Sequence, residues 1–210
     1  MKQFDLSQAL TQKEKLILSK LRTPRAIQDF LDTIPMNHEP EGDTCLSPRR
    51  VLREKRAHCI EGAMLAALAL RLQGRPPLLL DLKSTKHDYD HVVTLFKEGG
   101  CFGAISKTNH GVLRYREPIY KNVRELVMSY FHEYFLNDSG KKTLRSYSVP
   151  VDLSELDHLD WITSEENVWE IPMALENARH FPILTPNQIK NLRPADLVER
   201  EMGKVKEWKE

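Results

Sequence analysis

"REKRAHCIEGAMLAALALRLQG", residues 53–74, is the stretch whose reading decides the fold. From Cys59 onward it is rich in Ala and Leu, and Gly74 supplies a C-terminal stop. Ile60, Ala63, Met64, Ala67, Leu68 and Leu70 cover so much of the helical circumference that the helix over 59–73 is predicted to be largely buried. Glu61 reads as a first-turn acid favoured by the helix dipole. Cys59 opens this helix and has two readings. It is a small hydrophobe packing the first turn, or a thiolate whose pKa a helix N-terminus lowers.

Downstream, "RPPLLLDL" predicts a strand, and "HVVTLF" and "CFGAIS" predict two more around "KEGG", a hairpin turn signal. With the turn centred on Glu98 and Gly99, Phe96 pairs with Cys101 and His91 falls opposite Ser106. "HGVLRYREP", 110–118, reads as a solvated loop, and "NVRELVMSYFHEYF", 122–135, as a helix capped by Asn122. Beyond Lys142 a strand is expected near "RSYSVPVDL", and helices over 164–177 and 194–208.

Upstream, Thr11 and Glu14 make a capping box, and Thr23 with Pro24 makes an N-cap followed by a first-turn proline. Ile27, Phe30, Leu31 and Ile34 keep helical spacing. Residues 35–48 read as a loop, with Ser47 and Pro48 starting another short helix. There is no repeat and no clear linker. The expectation is one α+β domain over 1–210, with its core at about 23–135 and helical additions over 1–22 and 150–210.

Composition bounds the partners. A chain of 210 residues can bury a real core. A formal net charge of +1 gives no pull toward nucleic acid or an anionic membrane. No window approaches a transmembrane span, and "MKQFDLSQALTQKEK" has no apolar stretch before a small-residue cleavage site. Cys45, Cys59 and Cys101 are too few and too scattered for a disulfide framework. A cytoplasmic location is expected, with neither nucleic acid nor membrane as partner.

Thiol catalysis needs a thiolate, a base to take and return its proton, and a group to orient the base. Cys59 at a helix start, a strand, and His91 at the head of a hairpin supply the first two in order. This order resembles the transglutaminase-like family of papain-type cysteine enzymes. The resemblance runs from about Ala57 to Asn109, through "AHCIEGAMLAALALRLQGRPPLLLDL", "DHVVTLF" and "CFGAIS". It implies a papain-like core with the catalytic helix packed on an antiparallel sheet and extra helices at both termini. It also implies Cys59 as nucleophile, His91 as base, and no metal or organic cofactor. A peptide or protein would be the substrate. The family usually carries an Asp near the end of the second hairpin strand, where this chain has Ser106.

Ser106 is therefore the expected orienting group, with Asn109 the alternative, since an Asn carbonyl can also orient an imidazole. Asn37 and His38 have the chemistry of oxyanion donors, against the commoner role of Asn in turns. His58 is a substrate contact or a surface residue. Cys101 reads as structural and Cys45 as incidental.

Three function classes follow. The first is a cysteine hydrolase or acyl transferase, and the second a non-catalytic binding module of the same fold. The third is a zinc protein using His87 and His91 with Cys59, His58 or Cys101. The third is disfavoured because the x3 spacing suits a helix and "HDYDH" does not read as one.

Overall fold

The computed structural model describes residues 6–208. Helices α1 (Leu6–Ala9), α2 (Gln12–Leu18), α3 (Pro24–Asp32) and α4 (Pro48–Glu54) lead to the central helix α5 (Cys59–Arg71). Strands β1 (Leu78–Lys83), β2 (His91–Glu98), β3 (Cys101–Ile105) and β4 (Arg116–Tyr120) follow, then α6 (Val123–Phe131). Next come β5 (Ser146–Ser148), β6 (Val151–Asp152), a 3-10 helix (Leu153–Leu159) and α7 (Glu170–Asn177). The remaining elements are β7 (His180–Pro182), α8 (Pro186–Lys190) and α9 (Leu197–Gly203).

Local chemistry sets the helix starts. Thr11 Oγ1 accepts from the Glu14 amide at 3.3 Å while Glu14 Oε2 accepts from the Thr11 amide at 2.7 Å, so two orphan donors are satisfied reciprocally. Thr23 and Ser47 cap α3 and α4 through the amides of Ala26 and Arg50, each ahead of a first-turn proline. Helix α5 is buried without interruption from Ile60 to Leu70. Its stability therefore rests on packing on all sides, against α3, α4, β1 and β2.

The seven strands form one antiparallel sheet in the order β4-β3-β2-β1-β5-β7, with β6 also paired to β1. Side-chain alternation divides the apolar core between its two faces. On one face Leu79, Val92, Phe96 and Ile105 pack with α5 and the N-terminal helices. On the other, Leu80, Leu82, Val93, Leu95 and Ala104 pack with Leu126, Val127 and Tyr130 of α6. Thr94 Oγ1 donates to the Ala63 carbonyl at 2.7 Å and pins β2 to α5. The chain is thus a mixed α+β structure whose antiparallel sheet lies between two helical layers.

The structure corrects the sequence reading in four places. The hairpin turn is Gly99–Gly100, both at positive φ (55° and 82°), so Glu98 pairs with Cys101 and Phe96 with Gly103. A two-residue turn of this hand needs positive φ at both central positions, which a Gly-Gly pair gives without the strain Glu98 would bear. The register is displaced by two residues from the expected one. Residues 116–118 of the expected loop belong instead to β4 (Arg116–Tyr120), an edge strand of mixed exposure that includes Pro118. The expected helices shorten: 122–135 to Val123–Phe131, 164–177 to Glu170–Asn177, and 194–208 to Leu197–Gly203. Finally, the segment after residue 150 is not wholly helical, because β6 and β7 join the sheet. Residues 1–5 of the expected N-terminal addition, and 209–210 at the other end, lie outside the described residues.

Candidate active site

The N-terminus of α5 is reached through a crossing of two extended segments. Ala57 donates to the Pro35 carbonyl and accepts from the Asn37 amide, both at 3.1 Å, in a parallel bridge of Met36 with Ala57. This brings the 37–46 loop onto the first turn of α5. There Glu61 is fully buried. Its carboxylate accepts from Asn37 Nδ2 (3.0 and 3.3 Å), Thr44 Oγ1 (2.7 Å), the Leu46 amide (2.9 Å) and the His58 amide (2.9 Å). A buried carboxylate is tolerated only when its oxygens are saturated in this way. Glu61 is thus the hub that ties the loop to the helix, a larger role than a dipole-favoured acid.

Cys59 is the first residue of α5 and half-buried, and its amide has no intrahelical acceptor. His91 is the first residue of β2. Its Nε2 lies 2.8 Å from Ser106 Oγ, although the two residues are not opposite in the ladder. A slip of two residues keeps a side chain on its own face, so the contact survives the altered register as a diagonal one.

The direction of this hydrogen bond can be derived. Ser106 Oγ donates its single hydrogen to the Leu113 carbonyl at 2.5 Å. Toward the ring it can only accept, so Nε2 of His91 carries a hydrogen and, in the neutral ring, the lone pair is on Nδ1. Gln28 fixes Ser106 in turn: its side chain accepts from the Ser106 amide and donates to the Ser106 carbonyl, both at 2.9 Å. Leu113 has φ of +60°, unusual for a branched side chain, and its amide donates to Glu133 Oε2 at 2.7 Å. Such strain persists where surrounding contacts over-determine it.

Burial alone would push the Cys59 thiol up. Side-chain hydrogen bonds from His58 and His91, with the charge of both rings, outweigh it and bring Cys59 down from 9.0 to about 5. Burial also opposes charge on His58. Its hydrogen bond to Cys59, the charges of Cys59 and Glu61, and the Thr44 carbonyl raise it nevertheless, from 6.5 to about 9. Cys45 is the contrast: buried, with the Glu61 and Cys59 charges nearby, its thiol is pushed far above the ordinary range.

These groups line a cleft of about 680 Å³ with Tyr89 and Trp169 at its rim. Cys59, His91 and His58 come together there, with Ser106 hydrogen-bonded to His91 and not itself lining the cleft. Asn37 contributes differently from the expected oxyanion donor, because its amide hydrogens go to Thr44 and Glu61. Asn109 lines the cleft but does not orient His91. Its side chain is paired with the backbone of Trp208, donating at 2.9 Å and accepting at 2.7 Å, and so holds the C-terminal segment beside the cleft. His38 and His87 are exposed. Among the described residues no three His, Cys, Asp or Glu side chains are arranged to hold a metal ion. Nor is any helix among them long and apolar enough to cross a membrane.

Sequence reasoning missed Gln28 and the contacts that tie Glu61 to the 37–46 loop. For Glu61 a signal was present: it is the one charge between Cys59 and Leu70, in a helix too apolar to have an exposed side. Gln28 carried none, since its partner lies 78 residues away. In comparison with known proteins, no family model matches the chain, and no curated protein matches it in sequence.

Proposed function

We propose that this chain is a cysteine-dependent hydrolase or acyl transferase of transglutaminase-like type, acting on an amide or ester through an acyl-enzyme. The observation that carries the reading is the His91–Ser106 hydrogen bond of 2.8 Å, whose direction points the His91 lone pair away from Ser106 and toward proton transfer. The low titration of Cys59 beside it supports a nucleophilic role over a packing one.

In this reading His91 Nδ1 takes the thiol proton and Cys59 Sγ attacks the carbonyl carbon. The S–C bond forms as the carbonyl π pair moves to oxygen. The unpaired Cys59 amide at the helix terminus donates to that oxyanion. When the carbonyl re-forms, the bond to the leaving nitrogen or oxygen breaks, and the leaving group takes its electron pair together with the proton on His91. The thioester left on Cys59 is then attacked by water or an amine that gives its proton to His91, and the thiolate departs. Every proton is accounted for on the chain's own groups. Tyr89 and Trp169 are 91% and 43% exposed at the rim, a placement suited to an extended peptide.

Iodoacetamide near pH 6 tests the nucleophile. Cys59 should label far ahead of Cys45 and Cys101, and His91→Ala should slow it. Equal labelling of the three would refute the assignment. A peptide vinyl sulfone should give one adduct, on Cys59. Slow, unselective adducts together with a stably captured protein partner would favour a non-catalytic binding module.

A further inference from the structure

We propose that His58 is a second catalytic imidazole, a standing cation held by Glu61 and Glu39 that sustains the Cys59 thiolate while His91 moves the proton. This rests on the acyl-enzyme reading. Its basis is the surroundings of the His58 ring. Nε2 lies 3.0 Å from the Thr44 carbonyl, 3.3 Å from Glu61 Oε1 and 3.6 Å from Glu39 Oε1. The ring belongs to the residue next to Cys59, and each group shifts the titration of the other. All three contacts are made at Nε2 and all are to acceptors, two of them carboxylate oxygens, and a ring flanked by two carboxylates favours its cationic form.

Glu61 gives the complementary half. Its other partners, Asn37, Thr44 and two amides, are neutral donors. Among the described residues, His58 is the one cationic side chain within ion-pair distance of it. A fully buried carboxylate favours a positive partner, and the partner here is the residue next to Cys59. The His91 ring, by contrast, is hydrogen-bonded to the Ser106 hydroxyl, which orients it and contributes no charge. Among the described residues, the carboxylates within ion-pair distance of either imidazole are Glu61 and Glu39, both beside His58.

The two imidazoles thus divide the work. His91 is cationic only while it holds the thiol proton. His58 keeps its charge through the cycle, neutralised by Glu61 and Glu39, and lowers the energy of the thiolate at rest and when it is expelled from the thioester. Glu61 and Glu39 are positioning residues in this scheme. The groups facing His58 are Glu39 and Thr44 from the loop, and Cys59 and Glu61 from α5.

The thiolate absorbance and the iodoacetamide rate of Cys59, followed against pH, test this. In the native chain the titration midpoint should lie near 5, with thiolate lost as pH falls through it. In His58→Gln it should rise by a unit or more, a loss of about twofold in labelling rate at pH 6 that grows to about tenfold well below pH 5. Glu39→Gln, on the half-buried rim, should move it the same way by less, and serves if His58→Gln misfolds. Linkage requires reciprocity: Cys59→Ala should lower the His58 midpoint, followed by NMR, by the amount that His58→Gln raises the Cys59 midpoint. If Cys59 outpaces Cys101 in the native chain but keeps its midpoint in both variants, His58 is a capping residue and this inference fails alone. If Cys59 is unreactive in the native chain, the acyl-enzyme reading fails with it.

Discussion

The two sides of the Cys59 thiol are built on opposite principles. The α5 side is charged and dense: His58, Glu61 and Glu39 share hydrogen bonds with Asn37, Thr44 and Leu46. On the hairpin side the group that orients the ring is neutral: Ser106 is held by Leu113 and Gln28 through hydrogen bonds that fix direction without adding a formal charge beside His91. Charge governs whether a thiolate exists, and direction governs where its proton can go. Damage to the two sides should therefore differ in kind.

The largest effect is expected at Glu61. Glu61→Ala removes the acceptor of Asn37 Nδ2, Thr44 Oγ1 and the amides of Leu46 and His58 at once, inside the core. Leaving several buried donors unpaired should cost about 3–5 kcal/mol, read in a denaturant or thermal melt. Glu61→Gln keeps one acceptor oxygen and should cost less. A loss below 1 kcal/mol for the alanine variant would show that the loop is not anchored through this carboxylate, and the contrast between the two sides would collapse.

Ser106 comes next. Ser106→Ala strips the partner from His91 Nε2 and from the Leu113 carbonyl, a cost of about 1–3 kcal/mol. The Cys59 thiolate should titrate nearly as before, because both imidazoles remain in place, while vinyl sulfone inactivation slows as His91 loses its orientation. Ser106→Asp sharpens the point. A carboxylate beside Nε2 favours the imidazolium, so the His91 midpoint should rise in an NMR titration. The same carboxylate has no hydrogen for the Leu113 carbonyl, 2.5 Å from the present hydroxyl, so the variant should also be less stable than the native chain. An unmoved His91 midpoint would break the assignment of Ser106 as its orienting group.

What could be read in advance follows the same division. The apolar run from Ile60 to Leu70 announces a buried helix, and the paired glycines announce a hairpin, because both are local signals. The His91–Ser106 contact was legible even with the turn misplaced, since a two-residue slip preserves the face. Edge strands β4 and β7 were not legible: Arg116–Tyr120 and His180–Pro182 are short, mixed in exposure and interrupted by proline. The charged side was the least visible. Its contacts tie residues 37–46 to 58–61, and Asn37 and Thr44 look like ordinary turn residues until the chain brings them to Glu61.

The smallest predicted effect asks whether the α5 side acts through charge or through rigidity. Lys55 ends α4 with φ of +55° and is exposed, its amide donating to the Val51 carbonyl at 2.9 Å. It lies four residues before Cys59, in the turn that feeds the crossing at Ala57. An L-residue with a side chain bears a cost of about 1–2 kcal/mol in this left-handed conformation. Glycine avoids that cost and gives back about 0.5–1 kcal/mol in backbone entropy. Lys55→Gly should therefore stabilise the chain by about 0.5–1 kcal/mol, a rise of roughly 2 °C in Tm for a chain of this size. It touches neither His58 nor a carboxylate, so the pH dependence of Cys59 labelling should stay where it is. A shift of that titration in Lys55→Gly would mean that the stiffness of the turn, and not the carboxylates behind His58, sets the thiolate.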